Sequence, residues 1–143
     1  MNIEIRELKR DDYARGILET LESLTDVGKI SEENWNEFMD YLNSNSYHNI
    51  YVAVVDEKIV GAITCLIEPK IIHNCGFVAH IEDVVVHKDY QRKNIANKLI
   101  TQTLEHVKEK KAYKAILNCT SELVEWYSRF GFKLKNVQMR KNL

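Results

Sequence analysis

The stretch with the most chemistry in it runs from Ile81 to Ala96: Ile-Glu-Asp-Val-Val-Val-His-Lys-Asp-Tyr-Gln-Arg-Lys-Asn-Ile-Ala. The valines read as a strand ending near Val86, and a helix is expected to begin at about Ile95, after a polar loop. The first amides of a helix lack internal acceptors and sit at the positive end of its dipole, so this turn suits a diphosphate. Arg92, Lys93 and Lys98 would add positive charge. The same residues also fit an ordinary strand–loop–helix connection with a solvated basic face. Glu82 and Asp83 are adjacent, so on a regular strand they point to opposite faces and form no carboxylate pair. Either could take a proton from an ammonium, or simply face water. Lys70, His73 and Arg140 offer a point charge, an imidazole and a forked donor set for a phosphate. Each also reads as an ordinary surface, loop or terminal residue. His73 has no second ligand at a useful spacing for a metal. Tyr127 is a core aromatic or a phenol able to give a proton. Thr25 is a hydroxyl contact or a helix end.

The 143 residues fit one domain, 1–143. Charged residues make up 29% of the chain with a net charge of -1, which argues against nucleic acid and anionic membranes as partners. No apolar run approaches the ~20 residues of a membrane helix, and Met1 to Leu8 lacks the apolar core of a signal peptide. Cys65, Cys75 and Cys119 are too few and too scattered for a disulfide framework or a zinc site. Cys65 and Cys119 lie in apolar runs and are expected as buried free thiols, which points to a reducing, cytoplasmic compartment.

These residues need elements to position them. Ile3 and Ile5, with Glu4 and Arg6 opposite, give a first strand. Asp11 and Asp12 open a helix with the stripe Tyr13, Ile17, Leu21, Leu24, broken by Gly28. Ser31 caps a second helix whose buried face is Trp35, Phe38, Met39 and Leu42. Ile50–Val55 and Ile59–Ile67 form a hairpin through Asp56-Glu57-Lys58, and Val78–Val86 is the next strand. A long helix carries Ile95, Leu99, Ile100, Leu104 and Val107. A strand at Ala115–Cys119, a helix from Ser121 to Phe130, and strands at Phe132–Leu134 and Val137–Arg140 complete the chain. The order β-α-α-β-β-β-α-β-α-β-β calls for a central mixed sheet flanked by helices, with a right-handed crossover between Val78 and Cys119.

Gln91-x-x-Asn94-x-Ala96 resembles the Gln/Arg-x-x-Gly-x-Gly/Ala acyl-CoA loop of the GCN5-related N-acetyltransferases (GNAT). Within that superfamily Glu82 to Val86 resembles the strand before this loop in the glucosamine-6-phosphate N-acetyltransferases. Leu24 to Gly28 with Ile30-Ser31 is similar to their substrate lid. Glu68 to Cys75 is similar to the segment before the catalytic strand, and Trp126-Tyr127-Ser128-Arg129-Phe130-Gly131-Phe132 to their Phe-Tyr-x-x-Phe-Gly-Phe/Tyr ending. The likeness spans Leu21 to Arg140, in the same order.

This resemblance implies an α/β (α+β) GNAT fold: a mostly antiparallel mixed sheet, a splayed parallel strand pair and about four flanking helices. It implies direct acetyl transfer from acetyl-CoA, without a metal, to an amino sugar phosphate. Val84, Val85, Val86, Gln91, Arg92, Lys93, Asn94, Ile95, Ala96, Asn97 and Tyr127 would hold the donor. Tyr127 would assist the leaving thiolate, and Glu82 or Asp83 would take the amine's proton. Thr25, Lys70, His73, Glu82, Asp83, Asn118 and Arg140 would hold the sugar phosphate, Arg140 arriving on the exchanged C-terminal strand of a homodimer. Three departures stand out. Asn94 replaces a usual glycine, and Asn is the ordinary residue most tolerant of positive φ. Asn118 replaces an acid and cannot act as a base. Leu123 replaces an asparagine near the donor. Rival readings are a GNAT enzyme for another small amine, polyamine or peptide amine, and a non-catalytic acyl-CoA sensor.

Overall fold

The structure is a computed structural model, and it describes residues 1–143. Five strands form one sheet in the order β1-β2-β3-β4-β5: Glu4–Glu7, His48–Val55, Lys58–Pro69, Phe77–Val86 and Lys114–Ile116. Neighbours are antiparallel except β4 and β5, which are parallel and joined by the long helix α4, Ile95–Glu109. This is the expected mixed sheet. Helices α1, Ile17–Glu22, and α2, Glu32–Asn43, cover one face. Helices α4 and α5, Val124–Ser128, cover the other. The short turn α3, Ile72–Cys75, joins β3 to β4.

β2 reads as an unbroken apolar run because it is buried on both sides. Val52 and Val54 pack toward Trp35, Met39 and Leu42, while Tyr51, Ala53 and Val55 pack toward Ile95, Leu99 and Ile100. α2 is capped by Ser31, whose Oγ accepts from the amide of Asn34 at 3.0 Å, as expected. No helix is long and apolar enough to cross a membrane.

Several expectations need correcting. The first helix is two pieces: a 3-10 turn, Arg10–Ala14, then α1. Gly16, at φ 93°, forces the break, and Asp12 locks the turn by accepting from Arg6 at 2.8 and 2.9 Å and from the Lys9 amide at 2.8 Å. α1 ends at Glu22, well before Gly28. Phe38 is partly exposed, because it lines a cavity and not the core. The strand after α4 stops at Ile116, and Cys119 beyond it is exposed; only Cys65 is buried. The Ser121–Phe130 helix is a 3-10 turn, Ser121–Leu123, followed by α5. Residues 132–143 form no strand and pair with neither edge of the sheet, and Leu134, Val137 and Met139 are left exposed.

Candidate active site

The decisive local feature is an extra residue in β4. Ala62 pairs with Val85 but Thr64 pairs with Glu82, so Ile63 opposes two residues, Asp83 and Val84. Asp83 takes a left-handed φ of 50° to make the bulge. The consequence is a change of phase. Ile81 packs on the α4 side, yet Val85, four residues on, packs on the α1 side. The two acids therefore do not separate to opposite faces as strict alternation requires. Both Glu82 and Asp83 line one cavity of about 390 Å³. Its walls come from α1 and α2 (Ile17, Leu21, Trp35, Phe38) and from the sheet (His48, Ile50, Thr64, Leu66).

On the other side of the bulge the sheet opens. β5 pairs with β4 only at Val78, Ala79 and His80. From Ile81 to Val86 the backbone groups of β4 that face away from β3 have no strand partner, which leaves an open edge of hydrogen-bond donors and acceptors. Tyr127 sits under the apolar side of this region, packed with Ile81, Ile95 and Leu99 and edge-on to Trp126 at 4.8 Å. The ring is 6% exposed, yet its oxygen is not among the enclosed polar atoms lacking a partner, so the hydroxyl reaches the surface. Burial, with the nearby Cys119 thiol second, raises the phenol above its usual value. It therefore remains protonated at neutral pH, the state a proton donor needs.

β4 runs into a 3-10 turn, Lys88–Tyr90, then the exposed loop Gln91–Asn94, then α4. Arg92 and Asn94 both adopt left-handed conformations, at φ 62° and 65°, and Asn94 is the residue preceding the first turn of α4. The Asn that replaces glycine thus occupies the conformation glycine would serve. Arg92, Lys93 and Lys98 are exposed and make no ion pair within the chain. A basic loop, two left-handed residues and the amides of a fifteen-residue helix make a fitting cradle for phosphates.

The Acetyltransferase (GNAT) domain model matches residues 15–142. The chain belongs to the GNAT acetyltransferase family. It is 38% identical over 136 residues to the glucosamine 6-phosphate N-acetyltransferase of Candida albicans, covering 94% of this chain and 91% of that one. It is 32% identical to the enzyme of that name from Arabidopsis thaliana, covering 96% and 95%. The crystal structure of the Arabidopsis enzyme superposes with a TM-score of 0.96 over 99% of both chains, and that of a Trypanosoma brucei acetyltransferase with 0.92, at 29% identity, over 99% of this chain and all of that one. GNAT acetyltransferases use acetyl-CoA, and the structure contains no cluster of three His, Cys, Asp or Glu side chains able to hold a metal ion.

In this GNAT fold the remaining residues singled out by sequence do not all converge. Thr25 is exposed in the segment between α1 and α2. Asn118 and Leu123 are exposed after β5, near the open edge of the sheet. Lys70 and His73 lie at the far end of the β3–β4 hairpin. Six residues separate Lys70 from Thr64, the partner of Glu82, or about 20 Å of strand. There Lys70 pairs with Glu68 at 3.1 Å, and His73 stacks on Tyr113 at 4.0 Å. Arg140 lies in the exposed tail, bonded to Asn142. The sequence reading overlooked Trp35, Phe38 and His48 as cavity walls, since aromatic residues at helical spacing look like core. It also assigned no role to the contact of His87 with Glu19 or to that of the Lys88 amide with Ser23, made across 68 and 65 residues of chain.

Proposed function

We propose that this chain, acting as one catalytic domain over residues 1–143, transfers an acetyl group from acetyl-CoA to the amine of glucosamine 6-phosphate. One observation carries the reading: the bulge at Asp83 puts a carboxylate-floored cavity on one face of β4 and an open backbone edge, with a buried protonated tyrosine beside it, at the same point of the strand. The near full-length likeness to enzymes of that name supports the choice of acceptor.

Acetyl-CoA supplies the activated acetyl group. Gln91 to Asn97, the α4 amides and the free cations would hold its phosphates, and the open edge at Val84, Val85 and Val86 would bind its extended arm and acetyl carbonyl. Glu82 and Asp83 are placed to take a proton from the amine, directly or through water. Tyr127 is placed to give a hydrogen bond or a proton to the departing thiolate. Holding both reactants at one strand supplies much of the acceleration by proximity.

The sugar's phosphate needs cations, and about 20 Å of strand keeps Lys70 and His73 out of the cavity in their own chain. We therefore assign Lys70, His73 and Arg140 to the cavity of a second copy in a homodimer. Two features support this. β5 pairs on one side only, and the tail alternates exposed apolar Val137 and Met139 with Gln138 and Arg140, a pattern suited to an added strand. Thr25 and Asn118 would complete the polar contacts. The free thiols favour a reducing compartment, the cytoplasm.

A second reading rests on the cavity walls, eight of whose twelve residues are hydrophobic. They would also accept an amine with a less polar body. Release of coenzyme A thiol in the presence of acetyl-CoA and glucosamine 6-phosphate, glucosamine or an arylalkylamine separates the two. Strong preference for the phosphorylated sugar is expected. Turnover of the arylalkylamine alone would replace the first reading with the second.

A further inference from the structure

His87 is the residue that follows β4, and it is 1% exposed although it carries a polar ring. Its ring is bonded at both nitrogens. Nδ1 accepts from the amide of Asp89 at 3.1 Å, which fixes that nitrogen as the unprotonated one. Nε2 therefore carries the proton and donates to Oε1 of Glu19 at 2.9 Å. The His87 amide donates to Val60 O at 2.8 Å, and its carbonyl accepts from Tyr90 at 2.8 Å, so the ring cannot move without the turn that leads into the Gln91–Asn94 loop. A second bond runs alongside. The amide of Lys88 donates to Oγ of Ser23 at 3.1 Å. Glu19 lies in α1 and Ser23 is the residue that ends it. From Ser23 the chain continues into the mostly exposed segment Leu24–Lys29, which follows Leu21, a wall of the cavity.

We infer that His87 is a positioning residue that ties the donor loop to the acceptor lid, through Glu19 and Ser23, so that occupation of one side orders the other. The inference rests on the reading of Gln91–Asn97 as the donor site and of Leu24–Gly28 as the acceptor lid. It does not depend on which amine is the acceptor. Core packing alone does not account for the arrangement, because a buried histidine bonded in one fixed tautomer, to an acid whose side chain is 60% exposed, is a costly way to fill space. Both links instead join one short helix to one turn, which is what coupling requires.

The probe is coenzyme A alone, and the readout is amide hydrogen exchange of the lid. The amides of Leu24 and Thr25 bond back to Leu21 O at 2.9 and 3.2 Å, so their opening is measurable. Coenzyme A is expected to slow exchange across Ser23–Gly28 by at least ~5-fold, the low end of ordinary coupling between sites. In Glu19→Ala and in Ser23→Ala, with the fold checked by thermal denaturation, the protection should fall below about 2-fold while coenzyme A still binds. Glu19→Gln should restore it, because an amide oxygen still accepts from Nε2–H. Equal protection in wild type and Glu19→Ala overturns the coupling, as does absence of lid protection in wild type. Failure of Glu19→Gln to rescue overturns the neutral-ring link. Lack of any thermal shift with coenzyme A would overturn the donor site and the coupling together. Failure to acetylate glucosamine 6-phosphate would sink only the choice of acceptor.

Discussion

Tyr127→Phe separates catalysis from stability more cleanly than any other single change. The ring is 6% exposed and is held by packing against Trp126, Phe132 and the α4 side of the core, all of which phenylalanine preserves. The hydroxyl has no partner within the chain, so its removal breaks no hydrogen bond, and the melting temperature should move by less than about 2 °C. Catalysis should not be spared. A general acid contributes roughly 10²–10⁴-fold, and a thiolate needs help less than an alkoxide does, so a loss of about 100- to 1,000-fold in kcat is expected. That corresponds to about 3–4 kcal/mol of barrier. Coenzyme A thiol release under saturating substrates measures it, with KM values nearly unchanged. The pH profile adds a second test. Burial raises the phenol above its usual value, so activity attributable to it should persist past the pH at which a free phenol ionises. The folded value lies above the unfolded one, so the associated stability is fully present below the unfolded value and is lost as pH rises through the folded one; the variant should lack that alkaline loss. A kcat within threefold of wild type would remove Tyr127 from the mechanism.

Other residues allow sharper tests of the scaffold. A Cβ at Gly61 would lie 3.0 Å from the side chains of Ile95 and Leu99 and 3.3 Å from Val85 O, so in Gly61→Ala the α4 side chains must give by a few tenths of an ångström. It should cost about 1–3 kcal/mol by thermal denaturation and raise KM for acetyl-CoA more than it lowers kcat. Asn94→Gly should keep or improve donor affinity by calorimetry, whereas Asn94→Ala, forced to φ 65°, should lose about 1 kcal/mol of stability and bind more weakly. Asp12 is fully buried; burial alone would raise its pKa, but the Arg6 and Lys9 bonds outweigh it and hold the carboxyl below its usual value. Its stabilisation is present above the unfolded value of about 4 and lost as pH falls through the folded value, and Asp12→Ala should cost about 3–5 kcal/mol at neutral pH, read by denaturant titration. Lys70→Ala and Arg140→Ala should raise KM for glucosamine 6-phosphate at least tenfold, about 1.4 kcal/mol, and leave unphosphorylated glucosamine unaffected.

Much of this architecture is written in local pattern, and the residues that escape show what pattern omits. Ser31, Trp35 and the α4 stripe follow from capping and 3.6-residue periodicity, and the parallel β4–β5 unit follows from a helix between two apolar runs. Glu82 and Asp83 escape because alternation assumes one residue opposite one. No composition rule announces that Asp83 will take φ 50°, and that single angle reverses the phase of everything after it. His87 escapes because its partner Glu19 is 68 residues away, and nothing in a polar loop residue advertises burial.

The same limit applies, one level up, to Lys70, His73 and Arg140. Their chemistry suits a phosphate, and their positions in one chain do not. A single chain has only one way to bring together groups held about 20 Å apart on a rigid hairpin, which is to bend the hairpin. β3 and β4 are bound residue by residue from Thr64–Glu82 to Pro69–Phe77, and their central residues are buried, so bending would break the core. In the proposed dimer a second copy would supply the cations without any deformation, and it would also cover Leu134, Val137 and Met139, which face water in the single chain. The dimer and the substrate therefore stand or fall together. A chain that stays monomeric at working concentration should not distinguish glucosamine 6-phosphate from glucosamine, and sedimentation beside the acceptor assay tests that pairing directly.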